Sequence, residues 1–451
     1  MGAAQSPCVL RPSGCLRSRG FVGFVVPMKF ERGVLEEMNL DLSFDTLSHA
    51  IETDAAFRRI ARLQPVGGRG DKVFPPTYPG EGRNDPPRHV FERRRVAKTD
   101  GTSEDLWCVL IDSVQSQANR LEDALRDAAD EGLALPCVTV DFAKADLAPL
   151  TRITSLDAPH RVYDAILRDS LLDGEPFMRS AQGRRLAAAK PADATALLEL
   201  SPTALLFGAW HSQGEGGGLG AKFERRIVSE IVGVGVSVEE VTNARTGEVT
   251  TRSAGRRTGS RIDPLGVLRR VEVFKGAEGW STDAKEAGKG AKKVRPSEIN
   301  HGNIAPSVQP LGVTFDHAEH RLTISLAGLR RLRFGGGARD RAARALIAAL
   351  ALVAVAEQDA RGYALRSRCE LVRDGAAPLE IIDADGVPRP VALDQAAALK
   401  LYQEAYDRAR AAGFAFTSLT LEPQPKLIAI VKESQRLALE GAGGGDDAED
   451  E

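Results

Sequence analysis

The stretch SPTALLFGAWHSQGEGGGLGAKFERRIVSEIVG, Ser201 to Gly233, holds the most informative run of this chain. Residues 204–210 (ALLFGAW) form an apolar run of strand length, which predicts a strand. The run enters a glycine-rich segment, residues 211–220, and beyond it Phe223, Ile227, Val228 and Ile231 recur at helical spacing. That spacing predicts a helix over residues 222–232. A glycine turn between strand and helix invites comparison with the loops that hold nucleotide phosphates. Such loops need Gly-Lys followed by Ser or Thr, whose hydroxyl holds magnesium. Here Ala221 separates Gly220 from Lys222, and Phe223 follows, which argues against nucleotide hydrolysis. What remains is simpler: exposed amides and a helix N-terminus attract phosphate, and Lys222, Arg225 and Arg226 would crowd the first turns. The plain alternative is a flexible turn before a solvated helix face.

Outward from this stretch, residues 40–63 read as a helix and residues 64–87 as a loop rich in Gly and Pro. Residues 107–111 (WCVLI) read as a buried strand, and a helix is expected from Ser113 with Leu121 and Leu125 inward. Residues 161–172 and 194–200 are expected to be helical. Alternation around Thr246-Gly247 predicts a hairpin, and residues 275–295, rich in Gly, Lys, Ala and Glu, a mobile loop. Strands near residues 311–315 and 322–326, a long helix from Arg339, strands near 364–372 and 379–382, and helices over 394–412 and 428–439 complete the pattern. Strands and helices are interspersed without regular βαβ spacing, so the fold class is α+β.

Composition bounds the function. The net charge of -2 over 451 residues conceals a basic middle, with twelve Lys or Arg against five acids between Arg252 and Arg295, and five acids in the last ten residues. The five cysteines (Cys8, Cys15, Cys108, Cys137 and Cys369) contain no CxxC pair, so neither a disulfide framework nor a zinc site is expected, and a reducing cytoplasm fits. The longest apolar run, residues 345–356, has twelve residues, short of the about twenty a membrane span needs. Residues 1–27 carry arginines and no acid, without a clear cleavage site; MGAAQS also fits a loose myristoylation pattern. They are expected to be a disordered or mis-assigned extension, with translation starting at Met28 or Met38. Residues 28–440 are expected to form one elaborated domain, and residues 441–451 an acidic disordered tail.

Three further segments carry polar side chains of binding type. In residues 255–264 (GRRTGSRIDP), small residues admit a ligand backbone, Arg256, Arg257 and Arg261 suit bidentate phosphate contact, and Thr258 and Ser260 add neutral donors. Such a loop suits sequence-independent grip on a sugar-phosphate chain. In residues 296–307, Glu298, Asn300, His301 and Asn303 resemble an active-site cluster. No second ligand stands at metal spacing, although Asp316, His317 and His320 follow, so a turn whose amides and imidazole hydrogen-bond RNA or neighbouring backbone is preferred over metal hydrolysis. In residues 112–122 (DSVQSQANRLE), Ser116, Asn119 and Arg120 share a helical face beside Gln115; a capping network explains this start equally well.

Taken together, FPPTYPG (74–80), DSVQSQANRLE (112–122), RVYDAILRDSLLDGEPF (161–177), the 201–233 stretch, GRRTGSRIDPLGV (255–267) and PSEINHGNIAPS (296–307) resemble one family. It is the Csb-one group of Cas-seven backbone proteins of type I-G CRISPR systems, within the RAMP superfamily. The resemblance spans roughly residues 40–334. It implies an RRM-like, ferredoxin-like palm with finger and thumb insertions, and copies that stack head to tail along a CRISPR guide RNA (crRNA). The partners implied are the crRNA, a target DNA strand, other copies, the large and Cas-five or Cas-six-type Cascade subunits, and a helicase-nuclease. No cofactor, metal, membrane or catalytic residue is expected. The alternative is a metal-dependent RAMP ribonuclease, since type III relatives cut RNA through an acidic loop residue; nothing singles out Asp112 or Asp263 for that role. Filament subunits hold RNA of any sequence through its backbone and leave bases free to pair. Aromatic residues make up only 5% of the chain, so stacking on many rings is not expected.

Overall fold

The computed structural model describes residues 40–80, 87–97, 101–211, 220–242, 247 and 249–441. The expectations for residues 1–27 and 442–451, and most of the glycine-rich segment, lie outside them. Helix α1 (Phe44–Thr53) is capped by the Ser43 hydroxyl, which accepts from the Thr46 amide. The backbone turns extended at Asp54, and strand β1 (Ala56–Pro65) follows. The single helix expected over residues 40–63 is thus a helix and a strand. β1 buries Phe57, Arg59, Ala61 and Leu63 and turns Arg58, Ile60 and Arg62 to its other face. Arg59 hides that alternation in the sequence, because it occupies a core position by pairing with Asp359.

Strands β2 (Phe91–Ala97) and β3 (Ser103–Asp112) pair antiparallel, and Ser113 caps helix α2 (Val114–Asp130), which buries Leu121 and Leu125 as expected. Residues 161–172 break the helical expectation: a 3-10 turn (Arg161–Tyr163), a short helix (Ala165–Arg168) and a strand (Ser170–Leu172) share them. Residues 204–210 break the strand expectation instead, since Thr203–Phe207 is helical and only Ala209–Trp210 is a two-residue strand, parted by Gly208 at φ 85°. The helix expected over residues 222–232 is absent. Lys222–Phe223 pairs with Ala209–Trp210, and strand β4 (Ile227–Val234) buries Ile227, Ser229 and Ile231 while Val228 stays exposed. A spacing of four fits both periods, so Ile227 and Ile231 could not choose between them.

An elaboration follows. Strands β5 (Val238–Thr242) and β6 (Val249–Ser253) form the expected hairpin. Strand β7 (Arg257–Arg261) continues the chain, then β8 (Val273–Gly276), β9 (Gly279–Ser281) and β10 (Lys292–Val294) make a three-stranded sheet where a structureless loop was expected. Strand β11 (Ile304–Gln309) pairs back on β7. The chain then returns to the main sheet with β12 (His317–Ser325). Helix α3 (Gly337–Arg361), strands β13 (Cys369–Arg373) and β14 (Leu379–Ile382), and helices α4 (Gln395–Ala411) and α5 (Pro425–Gly441) complete it.

The ten-stranded main sheet places β14 and β13 beside β1, then β12, β4, β3 and β2, with antiparallel pairing throughout this run. Taking β1, α2, β4, β12, α3 and β13/β14 in chain order gives β-α-β-β-α-β. The spatial order of those strands is fourth, first, third, second, which is the ferredoxin-like arrangement. The β2–β3 hairpin is inserted between the first strand and the first helix and widens the sheet beside β4. Helices α1, α2, α3 and α4 share one core with Phe57, Ile227, Leu322 and Ile324, so the helices cover one face. The chain is α+β, with a RAMP-like palm, and the elaboration from β5 to β11 is inserted between its second and third strands.

Candidate nucleic-acid interface

The uncovered face of the palm offers a nucleic acid little. β1, β12 and β4 present Arg58, Ile60, Arg62, Arg321, Thr323, Val228 and Glu230 there, with no aromatic ring among them. Its arginines are matched: Arg58 lies 2.8 Å from Glu380, Arg321 2.6 Å from Glu319, and Arg94 2.9 Å from Glu230. Paired charges around exposed Ile60 and Val228 leave no cationic track.

The elaboration is different. β7 and β11 form a two-stranded ribbon in which Arg257 faces Gln309, Thr258 faces Val308, Gly259 faces Ser307 and Arg261 faces Ile304. Two segments picked out separately in the sequence therefore meet as one ladder. Nearly every residue of both strands is exposed, so this ribbon stands clear of the core. Arg257, Thr258 and Ser260 are open on it, while the Arg261 guanidinium reaches back to the Gly302 carbonyl at 3.4 Å. Arg256 is spent differently: it donates to Glu239 at 2.7 Å and to the carbonyls of Ala254 and Gly255, fixing the corner where the ribbon leaves β6.

A latch closes the base of the ribbon. The Asp263 carboxylate accepts from the Gly302 amide at 2.6 Å and the Leu265 amide at 3.0 Å, while the Asp263 amide donates to Asn303 Oδ1 at 2.7 Å. Those backbone donors hold the Asp263 carboxyl below its ordinary range. Glu298 accepts from the Arg295 amide at 2.8 Å and caps a short 3-10 helix, Asn300 turns the chain at φ 60°, and the His301 ring meets Trp280 edge-on at 5.5 Å. Residues 296–303 are a built turn. No group of three His, Cys, Asp or Glu among the described residues could hold a metal ion.

The remaining expected residues divide between surface and interior. Gln115 and Asn119 are exposed on α2 and line a cleft of about 500 Å³ with Arg126, Arg161 and Arg225. Arg120 turns inward instead, donating to Asp112 at 2.9 Å and to the Leu365 carbonyl at 2.6 Å. Asp112 is fully buried and also accepts from Ser116, Gln117 and Arg366. Lys222 is exposed, whereas Arg226 is 5% exposed and paired with Glu224 at 3.0 Å. With no helix after Gly220, the three cations do not share a helix start. Arg225 borders the cleft, its Nε donating to the Phe207 carbonyl at 3.2 Å. Behind it Glu122 and Arg161 form a buried bidentate pair at 2.7 Å, and burial pushes the Glu122 carboxyl up to about 7 against the pull of Arg161.

Sequence reasoning missed Trp280, Lys292, Arg269 and Arg270. Arg269 and Arg270 line a second cleft of about 370 Å³ with Lys293 and Arg295, and the run from Lys292 to Arg295 was the one signal available. No helix among the described residues is long and apolar enough to cross a membrane.

Residues 58–238 match the family model described as CRISPR-associated protein GSU0053. No curated protein matches the chain. The matched region begins inside β1, takes in β2, β3, α2 and β4, and ends at β5, so it holds the first half of the palm. That match and the α+β palm support a CRISPR-associated protein of the Cas-seven type.

Proposed function

We propose that the chain is a non-catalytic, cytoplasmic backbone subunit of a type I-G Cascade complex that binds crRNA and polymerises along it in antiviral defence. It would thereby present the guide for pairing with a target DNA strand, beside the large and Cas-five or Cas-six-type subunits, and leave cutting to a helicase-nuclease. The observation that carries this reading is the exposed β7–β11 ribbon, which lifts Arg257, Thr258 and Ser260 away from a palm face whose charges are already paired. A cationic, glycine-containing ribbon meets phosphates without reading bases. Gln115, Asn119 and Arg225, around the α2 cleft, supply a second set of contacts on the same reading.

The test is the salt dependence of RNA affinity. Each phosphate contact to a single strand contributes about 0.7 to the slope of log K against log salt. Replacing Arg257 with Ala should lower affinity for RNAs of unrelated sequence alike and flatten the slope by about 0.7. An unchanged slope would remove the ribbon from the interface. Incubation of the assembled complex with complementary RNA and magnesium or manganese should leave that RNA intact; regularly spaced cuts would replace this reading with the ribonuclease one.

A further inference from the structure

Within the elaboration, the β8–β9–β10 sheet has a face that the phosphate-gripping role does not use. Cross-strand register sets Trp280 opposite Lys275, and Lys275 opposite Lys292, so the three side chains form one row on one face. Trp280 is 52% exposed. Its ring packs against the His301 ring in a T-shaped contact, 5.5 Å between centroids with planes inclined at 63°, which restrains its orientation. The hairpin that presents it is tightly specified. A Cβ on Gly276 would lie 2.4 Å from the Ala287 carbonyl oxygen, and Gly279 turns the chain at φ 102°. On the same face, one pair along from the lysines, Val273 is buried and pairs with Val294, anchoring one end of the small sheet.

A large aromatic ring held more than half open, beside two lysines stepped about 5 Å per strand, matches what an unpaired nucleotide requires. The ring takes the base by stacking, whatever the base, and the ammonium groups take the flanking phosphates. A ring serving only to pack the His301 turn would not be left open beside cations. We propose that Trp280, with Lys275 and Lys292, forms a stacking site for one unpaired base of a single-stranded nucleic acid. The inference rests on the RNA-binding reading above and adds to it a contact to a base.

The experiment uses the full chain with two probes, a single-stranded oligoadenylate and an oligonucleotide of equal length with abasic sugars at its central positions. The wild-type protein should bind the base-bearing strand more tightly. Trp280→Ala should lose roughly 5- to 150-fold of affinity for it, the range one stacked base contributes. Its affinity for the abasic strand should not change, which also controls for folding. Trp280→Phe should keep most of the preference. If Trp280→Ala retains the full preference for bases, the stacking site is wrong while RNA binding stands. If wild-type protein binds neither strand, the RNA-binding reading itself fails.

Discussion

Arg256, Arg257 and Arg261 are equivalent letters in GRRTGSR, yet they have different work. Arg256 is held by Glu239 and two local carbonyls, whereas Arg257 points free of the ribbon. Arg257→Ala is therefore expected to cost more RNA affinity than Arg256→Ala, and Arg256→Ala to act on the ribbon's thermal stability instead; binding titrations and melting curves on the two single variants separate these effects. Asp112 has a structural burden of the same kind. Its buried carboxylate accepts from Ser116, Gln117, Arg120 and Arg366, tying the end of β3 to α2 and to the strand leading into β13. Asp112→Ala strands two arginines and is expected to destabilise the fold by about 3–5 kcal/mol, read as a lowered denaturation midpoint. The sequence displayed these side chains but not their partners. Arg120 pairs with a residue eight positions away and with the carbonyl of Leu365, and such long-range pairing leaves no local pattern.

Between the palm sheet and its helices, His320 on β12 donates or accepts with Ser229 at 2.6 Å and Tyr363 at 3.1 Å, fully buried. Burial, reinforced by Arg59 and Arg373 and opposed by Asp359 and Asp112, lowers its pKa to about 3. An unfolded histidine takes up its proton near pH 6.5, so between there and about pH 3 the unfolded chain binds more protons than the folded one. Stability should therefore be full above pH 6.5 and fall as pH drops through this window. His320→Gln is expected to be less stable at pH 7.5 and to lose less between pH 7.5 and 4.5; a melting temperature that falls as steeply as in the wild type would show that His320 does not set the slope. At this scale the sequence was legible wherever one period stood alone: α2 with its Ser113 cap, α3 and α4 are where they were expected. It failed where a buried Arg59 interrupted the apolar face of β1, and where Ile227 and Ile231 fitted both periods. It failed again over residues 275–295, whose small sheet is built from short strands with only Val273 and Ala287 as its buried apolar residues and has no periodicity long enough to read.

The whole molecule is a ferredoxin-like palm with a long insertion between its second and third strands, and the division of labour follows from that layout. The helical face is core, the other palm face carries paired charges, and Arg257 stands exposed on the insertion. None of this order was written in local pattern. The α+β class came from interspersed elements, and the palm from the resemblance of six separated segments; only pairing registers reveal that residues 257–261 and 304–309 form one ribbon. The central claim is that copies of this chain line up on a guide RNA, a heterologous assembly that grows with its template. Its most direct test is the mass of the complex formed by purified chain on single-stranded RNAs of increasing length. The mass should rise by whole copies in regular steps as the RNA lengthens, whereas a fixed copy number on every RNA would contradict the account.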